Sequence, residues 1–201
     1  MPRVSDEHLA ARRQQILDAA QRCFRRNGFH ATSMQDVINE AGLSVGAVYR
    51  YFGSKHELVT SIAESVLDDA DEIFVALTEA APPLPLIEAL DRALRFIEAQ
   101  TGPEGIFRFA IQVWAESLRD PALAEFAARL YGRVRSRFVA LARRAQQAGE
   151  LSADADPEAV GAVLFGLMPA FALQRVLTGG PDPKTYLDGV TALLASQGVR
   201  Q

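Results

Sequence analysis

The chain has 201 residues, of which 49% are hydrophobic and 23% charged, a composition typical of globular proteins that excludes wholesale disorder. Its single cysteine excludes an internal disulfide framework and a cysteine-based zinc site. The formal net charge of −4 argues against a uniformly basic nucleic-acid-binding protein, although residues 1–60 have a balance of +2 and residues 61–201 a balance of −6.

Helical periodicity, punctuated by glycine and proline, predicts an all-α fold of about nine helices with an N-terminal three-helix head and a C-terminal helical body. Gly28 and Gly42 follow the last periodic residues of two helices, as C-cap glycines do. Ser33 and Ser54 each precede an acidic residue by three positions, the spacing of a capping box. The predicted helices run over about 9–26, 34–41, 45–52, 54–80, 84–100, 104–119, 121–148, 157–178 and 183–197.

The sequence shows neither a secretory signal nor a membrane span, and this predicts a cytoplasmic protein that does not enter a membrane. The first eight residues have no apolar core of the kind that a secretory signal requires. The longest apolar run, counting Gly and Pro, has 15 residues from Ala159 to Leu173 and contains Pro169. A membrane-spanning helix needs about 20 such residues.

Residues 33–52 have the pattern of a helix, a short glycine turn and a second short helix, which is typical of a helix-turn-helix motif. The second helix of that motif enters the DNA major groove. Leu43 and Val48 supply an apolar face to pack against the preceding helices, and Gly46 and Ala47 are small enough for a close approach to bases. The residues that follow offer two phenol hydroxyls and two cations for phosphates, namely Tyr49, Arg50, Tyr51 and Lys55.

Three segments, TSMQDVI (32–38), AGLS (41–44) and GAVYRYFGSKHEL (46–58), closely resemble the DNA-binding domain of TetR-family transcriptional repressors. The resemblance extends over residues 9–60. It implies that Thr32, Ser33 and Tyr51 bond phosphates and that Lys55 pairs with one. It also implies a groove-facing role for the start of the third helix. The residues expected at the DNA are Thr32, Ser33, Ser44, Val45, Gly46, Ala47, Tyr49, Arg50, Tyr51 and Lys55.

Val45 departs from the family pattern, in which this position is often Lys, Arg or another polar residue. Valine cannot bond a phosphate, but it can touch a thymine methyl group. Tyr49 and Tyr51 have an alternative interpretation as half-buried packing residues, and Cys23 is expected in the core.

The helix predicted at 157–178 is apolar almost all round, so it must be covered on every side. Packing against a second copy of the chain satisfies this requirement, and a central core helix in a monomer is the alternative. The resemblance implies a homodimer through the last two long helices, which form a four-helix bundle. Small residues would allow close approach there, namely Gly161, Ala162, Gly166 and Ala170. Such a dimer places two recognition helices roughly 34 Å apart, matching a near-palindromic operator.

Ten of the sixteen aromatic residues lie between positions 96 and 186, where the resemblance implies a site for a small-molecule inducer. Gln112 and Gln174 are candidate polar anchors in an otherwise apolar cavity. Ordinary core packing is the alternative for each aromatic residue. The predicted ligand-binding residues are Phe107, Gln112, Trp114, Phe126, Tyr131, Phe165, Met168, Phe171 and Gln174.

These observations favour a transcriptional repressor that a small, largely apolar ligand releases from its operator. The domain organisation predicted is a DNA-binding domain at 9–55, a connecting helix at 56–80 and a ligand-binding and dimerisation domain at 81–201. A helical interaction module without DNA binding and a helical enzyme are the alternatives. The three histidines all lie in the head, and no His-Glu-x-x-His, phosphate loop or Gly-x-Gly-x-x-Gly occurs. We therefore expect no catalytic residues, cofactor or metal.

Overall fold

A computed structural model of the chain describes residues 6–79, 84–103 and 105–195, and the regular elements in these ranges are all helices. The prediction of an all-α fold with nine helices is confirmed. The helices are α1 (Asp6–Ala31), α2 (Met34–Ala41), α3 (Val45–Tyr49), α4 (Lys55–Glu79), α5 (Leu86–Ala99), α6 (Phe107–Ser117), α7 (Pro121–Gln147), α8 (Pro157–Thr178) and α9 (Pro183–Ala195).

The helices divide into two compact units. The first comprises the chain up to Leu67 together with Phe109–Phe126, so it contains most of α6 as well as α1 to α3. The second comprises Asp68–Arg108 and the chain from Ala127 onward. The predicted domain boundaries at residues 55 and 80 stay predictions, and the break predicted at residues 80–83 lies outside the described residues.

The first helix continues beyond the end predicted for it. Gly28 was expected to be a C-cap, but the chain resumes a helical path after it and α1 ends at Ala31. Gly28 has φ 81° and ψ 168°, so it kinks the helix instead of ending it. Only glycine adopts such a backbone conformation at little cost. The short turn after the kink is held by bonds from distant helices, which helical periodicity does not reveal.

The core of the first unit lies on the apolar face of α1. Ile16, Cys23 and Phe24 have no exposed surface, which agrees with the expectation that Cys23 is a core residue. Burial raises the pKa of the Cys23 thiol. Phe24 stacks on Phe109 of α6 with the ring centroids 5.0 Å apart. Helix α2 packs against both α1 and α3, and Val37 and Ile38 of α2 and Val48 of α3 are buried as well.

The core of the second unit is formed by α5, α7 and α8, with α9 packed at its margin. Gly161 of α8 lies against Val139 of α7, and a Cβ atom built on Gly161 would be 2.6 Å from the Val139 Cα. From the sequence, Gly161 is expected at a contact between two chains. The structure corrects this, because the close approach that this glycine permits is made within one chain.

Helix α8 is apolar on its exposed side as well as on its buried side. Between Ala159 and Leu177, the exposed positions are seven Gly, Ala, Val or Leu residues and Gln174, while Glu158 and Thr178 are exposed at the two ends of the helix. Among the described helices, α8 is also the one whose length and composition would allow it to cross a membrane, and 28% of its most apolar 18-residue window is buried. The exposed positions of α8 in this stripe are Ala159, Ala162, Val163, Gly166, Ala170, Leu173, Gln174 and Leu177.

Gly161→Ala is expected to lower the free energy of unfolding by about 1–3 kcal/mol, because the new methyl group overlaps the backbone of α7. Gly132→Ala is a matched control, since Gly132 is exposed on α7 and a Cβ there meets nothing within 4 Å. Because alanine has a higher helix propensity than glycine, Gly132→Ala is expected to raise the free energy of unfolding by up to ~1 kcal/mol. Urea unfolding at one protein concentration measures both changes, and equal effects of the two substitutions would contradict the packing described.

Candidate DNA-binding surface

The turn between α2 and α3 is fixed by local hydrogen bonds that the sequence predicts. Ser33 is the N-cap of α2, where its hydroxyl oxygen accepts a bond from the Asp36 N–H and the Asp36 carboxylate accepts one from the Ser33 N–H. The Ser33 hydroxyl also donates to the Asp36 carboxylate at 2.6 Å, and this bond, followed by the one from the Ser33 N–H, holds the pKa of Asp36 below its usual range. Gly42 ends α2 in the left-handed conformation with φ 64°. The Ser44 hydroxyl then accepts the Ala47 N–H and starts α3.

Helix α3 has one buried face and one exposed face. Val48 is fully buried, whereas Val45 and Tyr49 are 51% and 48% exposed. A Cβ atom added to Gly46 would meet nothing within 4 Å. The remaining predicted contact residues are graded between these extremes: Ser44 and Arg50 are exposed, while Ala47 and Tyr51 are half-buried. The exposed face of α3 is therefore open to a partner along its length.

Thr32 does not lie on this exposed face. Its side chain is 1% exposed, and its hydroxyl donates to the Gly28 carbonyl oxygen at 2.7 Å and lies 3.2 Å from that of Cys23. The structure thus uses this hydroxyl to close the end of α1, which differs from the phosphate contact expected from the sequence. Ser33 remains exposed beside it.

Lys55 has a role at the end of α1 that the sequence did not reveal. Its ammonium donates to the carbonyl oxygens of Phe29 at 2.7 Å and Thr32 at 3.0 Å, and lies 4.2 Å from the centroid of the Phe29 ring. Burial lowers the pKa of Lys55, and the nearby Glu116 carboxylate opposes that shift. A lysine has three N–H donors, so two are used here to hold the turn after the Gly28 kink.

Three residues spaced four apart connect α6 and the start of α7 to the same turn and to the start of α4. The Gln112 amide oxygen accepts the Phe29 N–H at 2.9 Å. Glu116 pairs with His30, and Asp120 pairs with His56 with 2.6 Å between Nε2 and Oδ2. We call Gln112, Glu116 and Asp120 the polar stripe.

Asp120 also accepts the N–H groups of Ala122 and Leu123 at the start of α7. The sequence carries no signal for the pairing of Asp120 with His56, because the two residues lie 64 positions apart and no local pattern links them.

The predicted ligand-binding residues are divided between the two units. Gln112, Trp114 and Phe126 lie in the first unit, and the other six lie in the second. In the second unit the Tyr131 and Phe165 rings meet edge to face at 5.1 Å, and burial raises the pKa of Tyr131 to about 12. The other positions range from the buried Met168 and Phe171 through the half-buried Phe107 to the exposed Gln174.

The fold and the exposed short helix define a helix-turn-helix DNA-binding protein. Residues 16–62 match the family model described as bacterial regulatory proteins of the tetR family. Residues 87–198, more than half of the chain, match the model for the C-terminal domain of BetI-type transcriptional repressors. The chain therefore belongs to the TetR family of DNA-binding transcriptional repressors, a family of regulators and not of enzymes.

Known proteins resemble the chain over most of its length. The HTH-type transcriptional regulator UidR of Escherichia coli is 29% identical over 156 residues, which cover 77% of this chain and 76% of UidR. The structure of Salmonella enterica GusR has 26% identity and a TM-score of 0.72 over 96% of this chain and 100% of GusR. A regulator from Saccharomonospora viridis, solved in complex with choline, shares the fold with 21% identity and a TM-score of 0.72, covering 92% of this chain and 96% of that one. Other curated helix-turn-helix regulators match over only about a third of their length.

The pair formed by Asp120 and His56 predicts an acid-dependent stability. The His56 hydrogen bond, followed by the N–H groups of Leu123 and Ala122, lowers the pKa of Asp120 in the folded state. A carboxylate with a lowered pKa stabilises the fold above its unfolded pKa of about 3.9, and this contribution disappears as the pH falls through the folded-state value. Asp120→Asn is therefore expected to destabilise the protein more at pH 6 than at pH 3.

Urea midpoints of the wild type, Asp120→Asn and His56→Ala at both pH values measure this difference. Asp154→Asn, at an exposed carboxylate between α7 and α8, is the control and should change the midpoint little. The assignment is wrong if Asp120→Asn costs the same stability at pH 3 as at pH 6.

Proposed function

We propose that the protein binds a near-palindromic duplex operator as a homodimer, and that a small, largely apolar ligand releases it. The observation that supports the DNA-binding part most directly is the exposed face of α3, whose rear is anchored by the buried Val48. A five-residue helix held in this way can enter a major groove while the rest of the first unit supports it.

Phosphate contacts would fix the position of α3 in the groove. Ser33, Arg50 and Tyr51 flank α3 with side chains that are exposed or half-buried. Two of the three N–H donors of the Lys55 ammonium bond the carbonyl oxygens of Phe29 and Thr32 at the end of α1. The third donor can bind a phosphate at the same time.

The exposed apolar stripe of α8 supports a homodimer. Val163 and Leu177 are 66% and 67% exposed, and Leu193 of α9 is 73% exposed. A continuous apolar surface of this kind is rare on a monomer and typical of an interface between subunits. A second copy of the same two helices covers it in a two-fold, self-complementary contact. In a soluble, cytoplasmic dimer, the partner subunit would cover α8, which accounts for a helix composition that would also suit a membrane.

A small-molecule ligand is supported by the aromatic residues of the second unit and by the BetI-type C-terminal domain. Tyr131, Phe138 and Phe165 form a chain of ring contacts with centroids 5.1 and 6.2 Å apart. The S. viridis regulator of the same fold was solved with choline, a small organic cation of the kind that aromatic rings recognise. Release from DNA requires that the ligand bind better to the conformation that does not fit the operator.

Lys55→Met tests the DNA-binding mode, because it keeps the aliphatic stem and removes the charge. With operator DNA selected in vitro by the purified protein, the variant is expected to bind more weakly to all sequences. The slope of log K against log salt concentration should become less steep by about 0.9 for each phosphate that is no longer neutralised, or about 1.8 per dimer. Filter binding at salt concentrations between about 50 and 200 mM measures the slope.

Lys184→Met is the matched control, since Lys184 is exposed on α9 and pairs with Asp188. Its salt slope should equal that of the wild type. An unchanged slope for Lys55→Met would show that Lys55 does not bind a phosphate, and failure of the wild type to select any DNA would favour an interaction module instead.

Val163→Glu tests the dimer. The substitution places two carboxylates near each other in an apolar interface, so the mass in solution is expected to fall from two chains to one. Because the two recognition helices are then no longer linked, operator affinity should fall more than about tenfold. Ala140→Glu, at an exposed position of α7, is the control and should remain dimeric. Light scattering coupled to gel filtration distinguishes the two, and a dimeric Val163→Glu variant would contradict the proposed interface.

A further inference from the structure

The recognition helix presents two apolar side chains to solvent where polar residues would be expected. Val45 and Tyr49 are one helical turn apart, so they lie on the same side of α3. Within the described part of the chain they are the only large hydrophobic side chains before Val75 that are substantially exposed. We call Val45 and Tyr49 the apolar pair.

The backbone between the two residues of the apolar pair is also uncovered. Gly46 is exposed, and a Cβ atom built on it meets no protein atom within 4 Å. Glycine at this position is therefore not required by packing inside the protein. It leaves room for another molecule to approach the helix closely, between Val45 and Tyr49.

Apart from the Tyr49 hydroxyl, the hydrogen-bonding side chains next to this surface lie at the two ends of α3. The Ser44 hydroxyl oxygen accepts the Ala47 N–H, and Arg50 lies at the C-terminal end of the helix. Recognition helices contact base edges mainly through their N-terminal residues. Bidentate reading of guanine or adenine requires Arg, Lys, Asn or Gln, none of which occupies positions 45, 46 or 49. The base-edge contact available to a valine is the C5-methyl group of thymine, and the ring of Tyr49 can pack against the same group while its hydroxyl reaches toward the phosphates.

We propose that the apolar pair determines operator specificity by packing against thymine methyl groups in the major groove of each half-site. This inference rests on the proposed binding of DNA through α3. It assigns the sequence preference to apolar contact and close approach, with Arg50, Tyr51 and Lys55 acting on the phosphates.

The test replaces single thymines of the selected operator by deoxyuridine, which removes only the methyl group. At one or two positions in each half-site, affinity is expected to fall about fourfold for each methyl removed, the value of one buried methyl group. Replacement of one such thymine in each of the two half-sites should therefore cost roughly 15-fold. The remaining thymines serve as internal controls and should tolerate uracil.

A double-mutant cycle assigns the contact to the apolar pair. Val45→Ala is expected to weaken binding to the thymine operator and to abolish the penalty for uracil at one sensitive position. Because Val45 is exposed on the surface of the first unit, the variant should retain the unfolding midpoint of the wild type. Tyr49→Phe keeps the aromatic ring, so replacing thymine by uracil should lower the operator affinity of this variant as much as it does for the wild type. Gly46→Ala, which meets no protein atom, should weaken operator binding without destabilising the fold.

The outcomes separate this proposal from the proposed function. Failure to select any DNA would overturn both. Equal affinity for every uracil-substituted operator would overturn the apolar pair alone, as would a uracil penalty that persists undiminished in both Val45→Ala and Tyr49→Ala. A selected operator without thymine in its half-sites would have the same consequence.

Discussion

The DNA-binding unit depends on how the carbonyl end of α1 is closed. A helix end leaves carbonyl oxygens without partners, and here the Gly28 kink increases the number that need them. Lys55 bonds two carbonyl oxygens and Thr32 closes the turn with its hydroxyl. Because Lys55 is the first residue of α4, the same bonds fix where α4 begins. A charged donor is suited to this task, since bonds to ionised groups are worth about 1.5–3 kcal/mol each.

Helix α3 could not form without that framework. Isolated helices of fewer than about 12 residues are marginal in water, and α3 has five. Its conformation is imposed by the Ser44 cap at one end and by the burial of Val48 and Phe52 beneath it. The buried side of α3 thus stabilises its helical conformation, and the residues on the exposed side are not needed for packing within the protein. That division permits Val45, Gly46 and Tyr49 to be chosen for a partner instead of for the fold.

The sequence predicts those parts of the structure that depend on neighbouring residues. The capping box at Ser33, the left-handed Gly42 and the nine helices follow from local hydrogen bonding and periodicity. The closure of α1 by Lys55 and the bond from the Phe29 N–H to Gln112 depend on residues 26 and 83 positions apart, for which no local pattern exists. Gly161 shows the same limit, because a small residue on a helix predicts close approach without indicating which helix approaches.

The polar stripe gives α6 an energetic connection to the end of α1. Gln112 was predicted as an anchor for a ligand, yet its amide oxygen already accepts the Phe29 N–H. A ligand that took this oxygen would leave a partly buried N–H without its partner, at a cost of roughly 1–3 kcal/mol. The turn after Gly28 would then be held by one bond fewer, while Lys55 and Thr32 keep theirs. The bond from the Phe29 N–H therefore gives Gln112 a structural role in the first unit, whether or not the amide also meets a ligand.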